Sequence, residues 1–433
     1  MIHLVNRFTY AAQRVRQLVA QERSLIAGTM GINLLLGSTG LITGALLARS
    51  LGPVGRGKIA SIQAMPSFFS GIVMLGFQES LVYCAIRNPE RRKQYLTASL
   101  LASTAFAALV TVVLVSWPGG LAQRSSAHEF FTLFVLLAPL LNVPFQMLRA
   151  VGNYRAWNLL KVPPVLAWLL ICIVAAAIPA LRRPGVITSA YVIALAAMTP
   201  MFIRAGHRAA GGWGKPSGGD YKTLLRYSLP VMLTTGPAIV SLRLDTVLVA
   251  SRFGSRANGF YAAAVAWSVL ALPLFSAISS LALPLVARGE QEGRDESAPI
   301  VVGSILLGAL LIAASLPATR LFFPLIFGDA FLPAWRLGAL ALCAGIIQGL
   351  TQVVGAVLRG KGQITAPLVA ELLGVALTLA TLSAFLDHFG ITGGQYTSLL
   401  AYTATLAVGC VLWLNVRKRP VKKFGATEPE QLT

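Results

Sequence analysis

The chain has 433 residues, 56% hydrophobic and 12% charged, with a mean hydropathy of +0.71, where a soluble domain has roughly half and about a quarter. Only 15 residues are Asp or Glu, too few for a water-facing surface of this size, so most of the exterior must face lipid; disorder, a collagen-like repeat and a secreted disulfide scaffold are excluded. The net charge of +21 suggests nucleic acid only until its distribution along the chain is read.

A helix needs about 20 mostly apolar residues to cross a hydrocarbon core of about 30 Å. Residues 1–24 are polar and basic and are predicted to be a cytoplasmic segment. The first apolar run, 25–48, has no cleavage-site pattern and reads as a span, not a cleaved signal. Further spans fall near 60–86, 95–117, 129–151, 159–181, 186–204, 224–250, 259–287, 299–318, 336–358, 364–386 and 397–416. The predicted fold class is therefore an all-α polytopic membrane protein of about 12 transmembrane helices. Cys84, Cys172, Cys343 and Cys410 each lie in apolar stretches without metal-like spacing and read as packing residues; no metal site is expected.

With the N-terminus inside, the inside segments hold 25 Lys and Arg and the outside loops 10, and Arg243 within the seventh span completes the 36. That bias predicts cytoplasmic N- and C-termini. It also accounts for the +21 through topology and attraction to an anionic leaflet. No nucleic-acid partner is needed.

The connection 207–223 contains Gly211-Gly212-Trp213-Gly214-Lys215-Pro216-Ser217-Gly218-Gly219, a linker composition dividing the spans six and six. The domains predicted are an N-terminal bundle 25–206, the linker, a C-terminal bundle 224–416 and a cytoplasmic tail 417–433. The halves match each other: Ala48, Gly52, Gly57 and Ala60 recur as Ala250, Gly254, Gly259 and Ala262, at an offset of 202. Leu148, Arg149, Gly152 and Asn153 recur as Leu358, Arg359, Gly362 and Gln363, at an offset of 210. An even number of spans per half gives two parallel six-helix repeats around a central cavity, which the two bundles expose to either side by rocking.

Ionisable groups within spans are costly and call for a role. Arg243 and Asp245 stand about 200° apart around one helix and cannot pair. Arg243 is the favoured substrate contact, because a guanidinium binds phosphate bidentately. Asp245 is either an ion-coupling group or an anchor for Arg252 or Arg49. Glu79 is either ion-coupling or a carboxyl held between helices, and Glu371 either ion-coupling or a partner of Arg359 or Lys361. Span 4 carries a polar stripe of Asn142, Gln146, Arg149 and Asn153, and span 10 a matching one of Gln348, Gln352 and Arg359. Both stripes read as lining open to the cytoplasm or as interhelical hydrogen bonds. Asn33 is the one strongly polar group of span 1, on the face of Gly37 and Gly40. The spacings Gly40 to Gly44 and Gly345 to Gly349 permit close helix contact.

No Walker loop, zinc-protease motif or nucleophile elbow is present, and the four histidines form no pair at ligand spacing. The chain is not expected to be an enzyme. Work would draw on an ion gradient, the membrane potential or the substrate's own gradient.

The stretch Leu47-Ala48-Arg49-Ser50-Leu51-Gly52-Pro53-Val54-Gly55-Arg56-Gly57, followed by Leu75-Gly76-Phe77, resembles the start of bacterial Wzx-type lipid-linked oligosaccharide flippases. So do Leu244-Asp245 with Gly254 and Gly259-Phe260-Tyr261-Ala262, then Phe327-Gly328-Asp329-Ala330-Phe331, Arg359-Gly360-Lys361-Gly362-Gln363 and Gly390-Ile391-Thr392-Gly393-Gly394. The resemblance, covering about 25–416, implies an inner-membrane member of the multidrug/oligosaccharidyl-lipid/polysaccharide exporter superfamily. Such a protein moves an undecaprenyl-diphosphate-linked glycan from the cytoplasmic to the periplasmic leaflet for surface or exopolysaccharide biosynthesis. The expected partners are that lipid, the bilayer and other polysaccharide-assembly membrane proteins. No cofactor is expected beyond a coupling ion, H+ or Na+. On this reading Arg243, Arg149, Arg359, Asn142, Gln146, Gln352, Gln348 and Asn33 are the substrate-contacting set, and Glu79, Asp245 and Glu371 the ion-coupling set. The alternatives are an ion-coupled multidrug extruder of the same superfamily and a membrane glycan polymerase or ligase. The last is disfavoured, because the longest outside connection, 318–335, is mostly apolar.

Overall fold

The computed structural model describes residues 2–74, 76–116, 128–291, 294–363 and 365–417, and among these there is no strand. The connection 117–127 and the tail beyond Arg417 lie outside the described residues.

Helix α1 (Ile2–Val73) contains the first crossing and most of the second. Gly52, at φ +65° and ψ −176°, interrupts its path. Glycine adopts that left-handed φ without steric cost, and Pro53 then opens the next stretch with its preset φ. A straight helix would hold Leu47 and Ile59 about 18 Å apart. Instead they pack in one cluster with Cys172, Ala175 and Ile187, so the chain doubles back at Gly52. The loop expected between spans 1 and 2 is thus helix on either side of a one-residue turn. After a break at Gly76, α2 (Phe77–Arg87) completes the second crossing.

Helices α3 (Arg92–Ser116) and α4 (His128–Ala150) follow, and then one crossing in two pieces, α5 (Tyr154–Leu160) and α6 (Val162–Ala177), hinged at Lys161. Helix α7 (Pro184–Ala210) outruns its predicted span, leaving only 211–217 between helices. Helix α8 (Gly218–Arg252) starts on a reciprocal cap in which the Asp220 carboxylate accepts from Ser217 N (2.8 Å) and Oγ (2.7 Å). Helices α9 (Ser255–Ser268) and α10 (Leu272–Gln291) share a crossing, and α11 (Ser297–Phe327), α12 (Trp335–Gly360), α13 (Thr365–Phe389) and α14 (Ile391–Arg417) complete the second half. Helix α11 extends well into the stretch expected as the longest outside connection, which is reduced to a short helical turn over 329–334.

Among the described residues, ten segments are long and apolar enough to span a bilayer. One of them, Gly31–Arg87, holds the two crossings separated at Gly52, and α8, more polar than the rest, adds the last, making twelve. An even number returns the chain to its starting side. That side carries the basic loops and is called the basic end below; the opposite is the far end.

The repeat is visible in the backbone. Gly152 and Gly362 have φ +77° and +76°. Asn153 N bonds Leu148 O at 2.9 Å, as Gln363 N bonds Leu358 O at 2.9 Å, so the turns after α4 and α12 are copies at an offset of 210. At the far end the halves meet reciprocally. A β-carbon on Gly57 would overlap the Ser255 carbonyl, and one on Gly259 would overlap the Pro53 carbonyl. Pro53 and Ser255 stand at the same 202 offset as the glycines, so each half presents to the other what it receives, as a two-fold contact requires. Asn258 secures the seam, donating from Nδ2 to Gly57 O (3.0 Å) and Ser61 Oγ (2.8 Å). Arg49 donates to the last carbonyls of α11, Ile326 O at 2.9 Å and Leu325 O. A second seam joins α2 to α8, where Gly76 lies against the Ser228 carbonyl and the rings of Tyr83 and Tyr227 stand 4.4 Å apart. Within the second half, Gly345 and Gly349 let α12 press onto the Ser268 carbonyl and Phe275, as their spacing predicts.

Candidate functional site

Helix α12 is packed inside the second half by α9, α10, α11 and α14. Between Leu337 and Gly360 its only exposed residues are Gln352 and Arg359, with Gln348 half-buried on the same stripe. An enclosed helix whose exposed positions are polar faces water, not lipid. The stripe lies toward the basic end of the helix. The Arg359 guanidinium folds over Gly355 (3.6 Å from where a β-carbon would stand) and interacts electrostatically with Glu371 on α13. Lys361, the other partner expected for Glu371, is instead held by Asp295 at 3.3 Å.

In α8, Arg243 is exposed and Asp245 is 7% exposed, as their opposed directions require. The anchor expected for Asp245 is not a loop cation. Arg252 pairs with Asp387 at 3.0 Å and Arg49 with the α11 carbonyls, whereas Asp245 accepts from the Tyr261 hydroxyl, from Thr246 N and from Thr246 Oγ1 (3.2 Å). Gln395 reaches the same Tyr261 hydroxyl, and Tyr402 lies within electrostatic reach of Asp245 and Arg243. This buried polar cluster joins α8, α9 and α14. The sequence names Tyr261 only within a family-like motif and gives Gln395 and Tyr402 no signal as site residues, since neither is an ionised group within a span.

The first half arranges its equivalents differently. Arg149 pairs with Glu79 at 2.9 Å, so the carboxyl expected to couple ions and the guanidinium expected to meet substrate neutralise one another between α4 and α2. Both remain partly exposed, at 35% and 45%. Gln146 is buried, and Asn142 lines a half-open pocket of about 290 Å³ between α4, the α5–α6 hinge and α7. The matching polar stripes therefore differ in detail: that of α12 is exposed at Gln352 and Arg359, whereas that of α4 buries Gln146, half-buries Asn142 and Arg149 and is exposed at Asn153. Asn33 is exposed on α1, beside Gly37, which lies against Pro273 of α10.

A model of the polysaccharide biosynthesis protein family matches residues 24–290, more than half of the chain. The chain belongs to that family. No curated protein matches it. Among solved structures it resembles the lipid II flippase MurJ in an inward closed conformation, with a TM-score of 0.66 and 14% identity over 92% of this chain and 88% of that one. It also resembles an inward-facing multidrug resistance MATE transporter of the MOP superfamily (TM-score 0.61, 16% identity, 93% and 96% of the two chains). A third is the Vibrio cholerae MATE transporter VcmN in its bent form (TM-score 0.55, 16% identity, 92% and 98%). At these identities the likeness concerns the fold, a two-repeat bundle of twelve helices shared by flippases and multidrug transporters. The family match and the apolar crossings mark a multi-pass membrane protein of polysaccharide biosynthesis.

Proposed function

We propose that this chain flips a polyprenyl-diphosphate-linked oligosaccharide from the cytoplasmic to the periplasmic leaflet of a bacterial inner membrane. The observation that carries the reading is the exposed polar line of Gln352 and Arg359 on an enclosed helix of a polysaccharide-family chain. An ionised headgroup loses tens of kcal/mol of hydration in hydrocarbon in the Born limit, so it crosses only along hydrated, cationic walls. On this reading the exposed Arg359, toward the basic end, and Arg243, farther along the crossing, meet the diphosphate in turn, with Gln352, Gln348 and Asn33 for the sugars. The prenyl tail stays in the bilayer while the halves rock about the headgroup. Asp245, with Glu371 and Glu79, is the carboxylate set for a coupling proton or sodium ion, and the basic end faces the cytoplasm.

Deleting the gene should abolish the surface or secreted glycan and accumulate its lipid-linked precursor. Restoring the chain with Arg243→Ala at wild-type abundance should lower export about tenfold or more, the value of one charge-assisted contact. Equal export at equal abundance would remove Arg243 from the site. The buried Asp245 cluster favours a second reading, an ion-coupled multidrug extruder. A deletion strain with normal glycan and lost drug resistance would decide for it.

A further inference from the structure

We propose that the first half carries a recognition site for the phosphate of a prenyl-type lipid, built from Lys161 and the pocket beside it. Lys161 forms the hinge between α5 and α6, about 10 Å along the crossing from its basic end. Its ammonium donates to Asn158 Oδ1 at 3.1 Å and lies 3.4 Å over the Trp157 ring. Arg149 approaches the same ring at 6.0 Å. Among the described residues no carboxylate lies within ion-pair distance of Lys161, and the Trp157 Nε1–H is buried without an acceptor. A cation kept inside a span without a counter-charge is costly and points to an anionic ligand.

The repeat sharpens the argument. At the offset of 210, Arg149 corresponds to Arg359 and Lys161 to Glu371. The second half thus sets a carboxylate against its arginine, whereas the first half sets a second cation there and leaves one positive charge after Glu79 is counted. The lining of the pocket is also particular to the first half. Phe134 and Phe145 line it where the second half has Ala344 and Gly355, and the Arg359 guanidinium covers Gly355.

Tyr191 and Phe202 complete an aromatic wall around Asn142 and Lys161. The 290 Å³ inside holds on the order of ten water-sized groups, about two prenyl units. Such walls offer a sugar few hydrogen bonds, and the ammonium repels a cationic drug. A phosphate joined to an unsaturated hydrocarbon satisfies both the charge and the rings. The choice of a prenyl lipid rests on the flippase reading; the pocket and its charge do not.

The test uses the full chain in phosphatidylcholine nanodiscs, titrated calorimetrically with farnesyl phosphate, farnesol and inorganic phosphate. Farnesyl phosphate should bind saturably, and Lys161→Gln should weaken it about tenfold or more at an unchanged thermal midpoint. Lys161→Arg should retain binding. Should the glutamine variant fail to fold, Lys161→Glu, which copies the second half, should abolish binding. Undiminished binding in either variant, farnesol binding as tightly as its phosphate, or inorganic phosphate competing at equal concentration would overturn the proposal. The isotherm needs no transport, so a chain that binds the probe but exports no glycan overturns the flippase reading and leaves this site standing.

Discussion

Asp245 shows what a single buried carboxylate requires. At 7% exposure it depends on the Tyr261 hydroxyl and on Thr246 for its hydrogen bonds. Tyr261→Phe removes the strongest of these without changing packing volume, and should cost about 1–3 kcal/mol, read as a lower thermal midpoint in detergent. An unchanged midpoint would show that the bond contributes nothing to stability. Asp295, in the short connection between α10 and α11, is the opposite case because it faces water. Partial burial raises its carboxyl, but the Ser297 hydroxyl, Lys361 and Arg417 outweigh that and hold it below the usual carboxylate range. A lowered folded value stabilises the protein above the unfolded pKa of about 3.9, and the gain disappears as pH falls through the folded value. The thermal midpoint of the wild type should therefore exceed that of Asp295→Asn near neutrality and converge with it on acidification below about pH 4. Parallel midpoint curves would refute the linkage. The charged positions themselves are legible from hydropathy; their partners are not. Tyr261 lies 16 residues from Asp245, and Glu79 lies 70 from Arg149, separations that only the bundle closes.

At the scale of the helices, apolar length locates the crossings well and their joints poorly. Length alone cannot distinguish a loop from the one-residue turn at Gly52, since helix runs up to it from both sides. Nor does it find the breaks at Gly76 and Lys161, which interrupt otherwise continuous apolar runs. A count of basic residues accordingly assigns Lys161 to a loop, and only its register with Glu371 marks it as different. The repeated glycines are more informative. Gly259 lets α9 touch the Pro53 carbonyl, whereas Gly254 has nothing within 4 Å of an added β-carbon. Gly259→Leu should therefore hold the far end apart and lower export about tenfold or more, with insertion and abundance kept, while Gly254→Ala should export normally. Equal export from the Gly259 variant would mean that the far-end contact is not part of the cycle.

For the whole molecule, the repeat read from eight paired positions corresponds to two kinds of structural equivalence. The turns after α4 and α12 share their dihedral angles and hydrogen bonds, and the far-end seam is reciprocal. What the pattern does not convey is how far the halves have diverged: at the same register, one lines a half-open pocket with Asn142 and the other exposes Gln352. Phe134 and Phe145 line that pocket where the second half has Ala344 and Gly355, a difference invisible to a match carried by small residues and turn residues. On the proposed flippase reading, rocking halves must part at the far end to release a headgroup there, and the seam through Asn258 has to break once per cycle. Ser61 and Asn258 side chains meet at 2.8 Å. Replacing both by Cys, with Cys84, Cys172, Cys343 and Cys410 changed to Ser, should give a chain that an oxidant locks by a bridge across the halves. Export should stop on oxidation and return with reductant, and each single replacement should be insensitive. A double variant that forms the bridge quantitatively yet still exports would show that the two halves do not separate at this end.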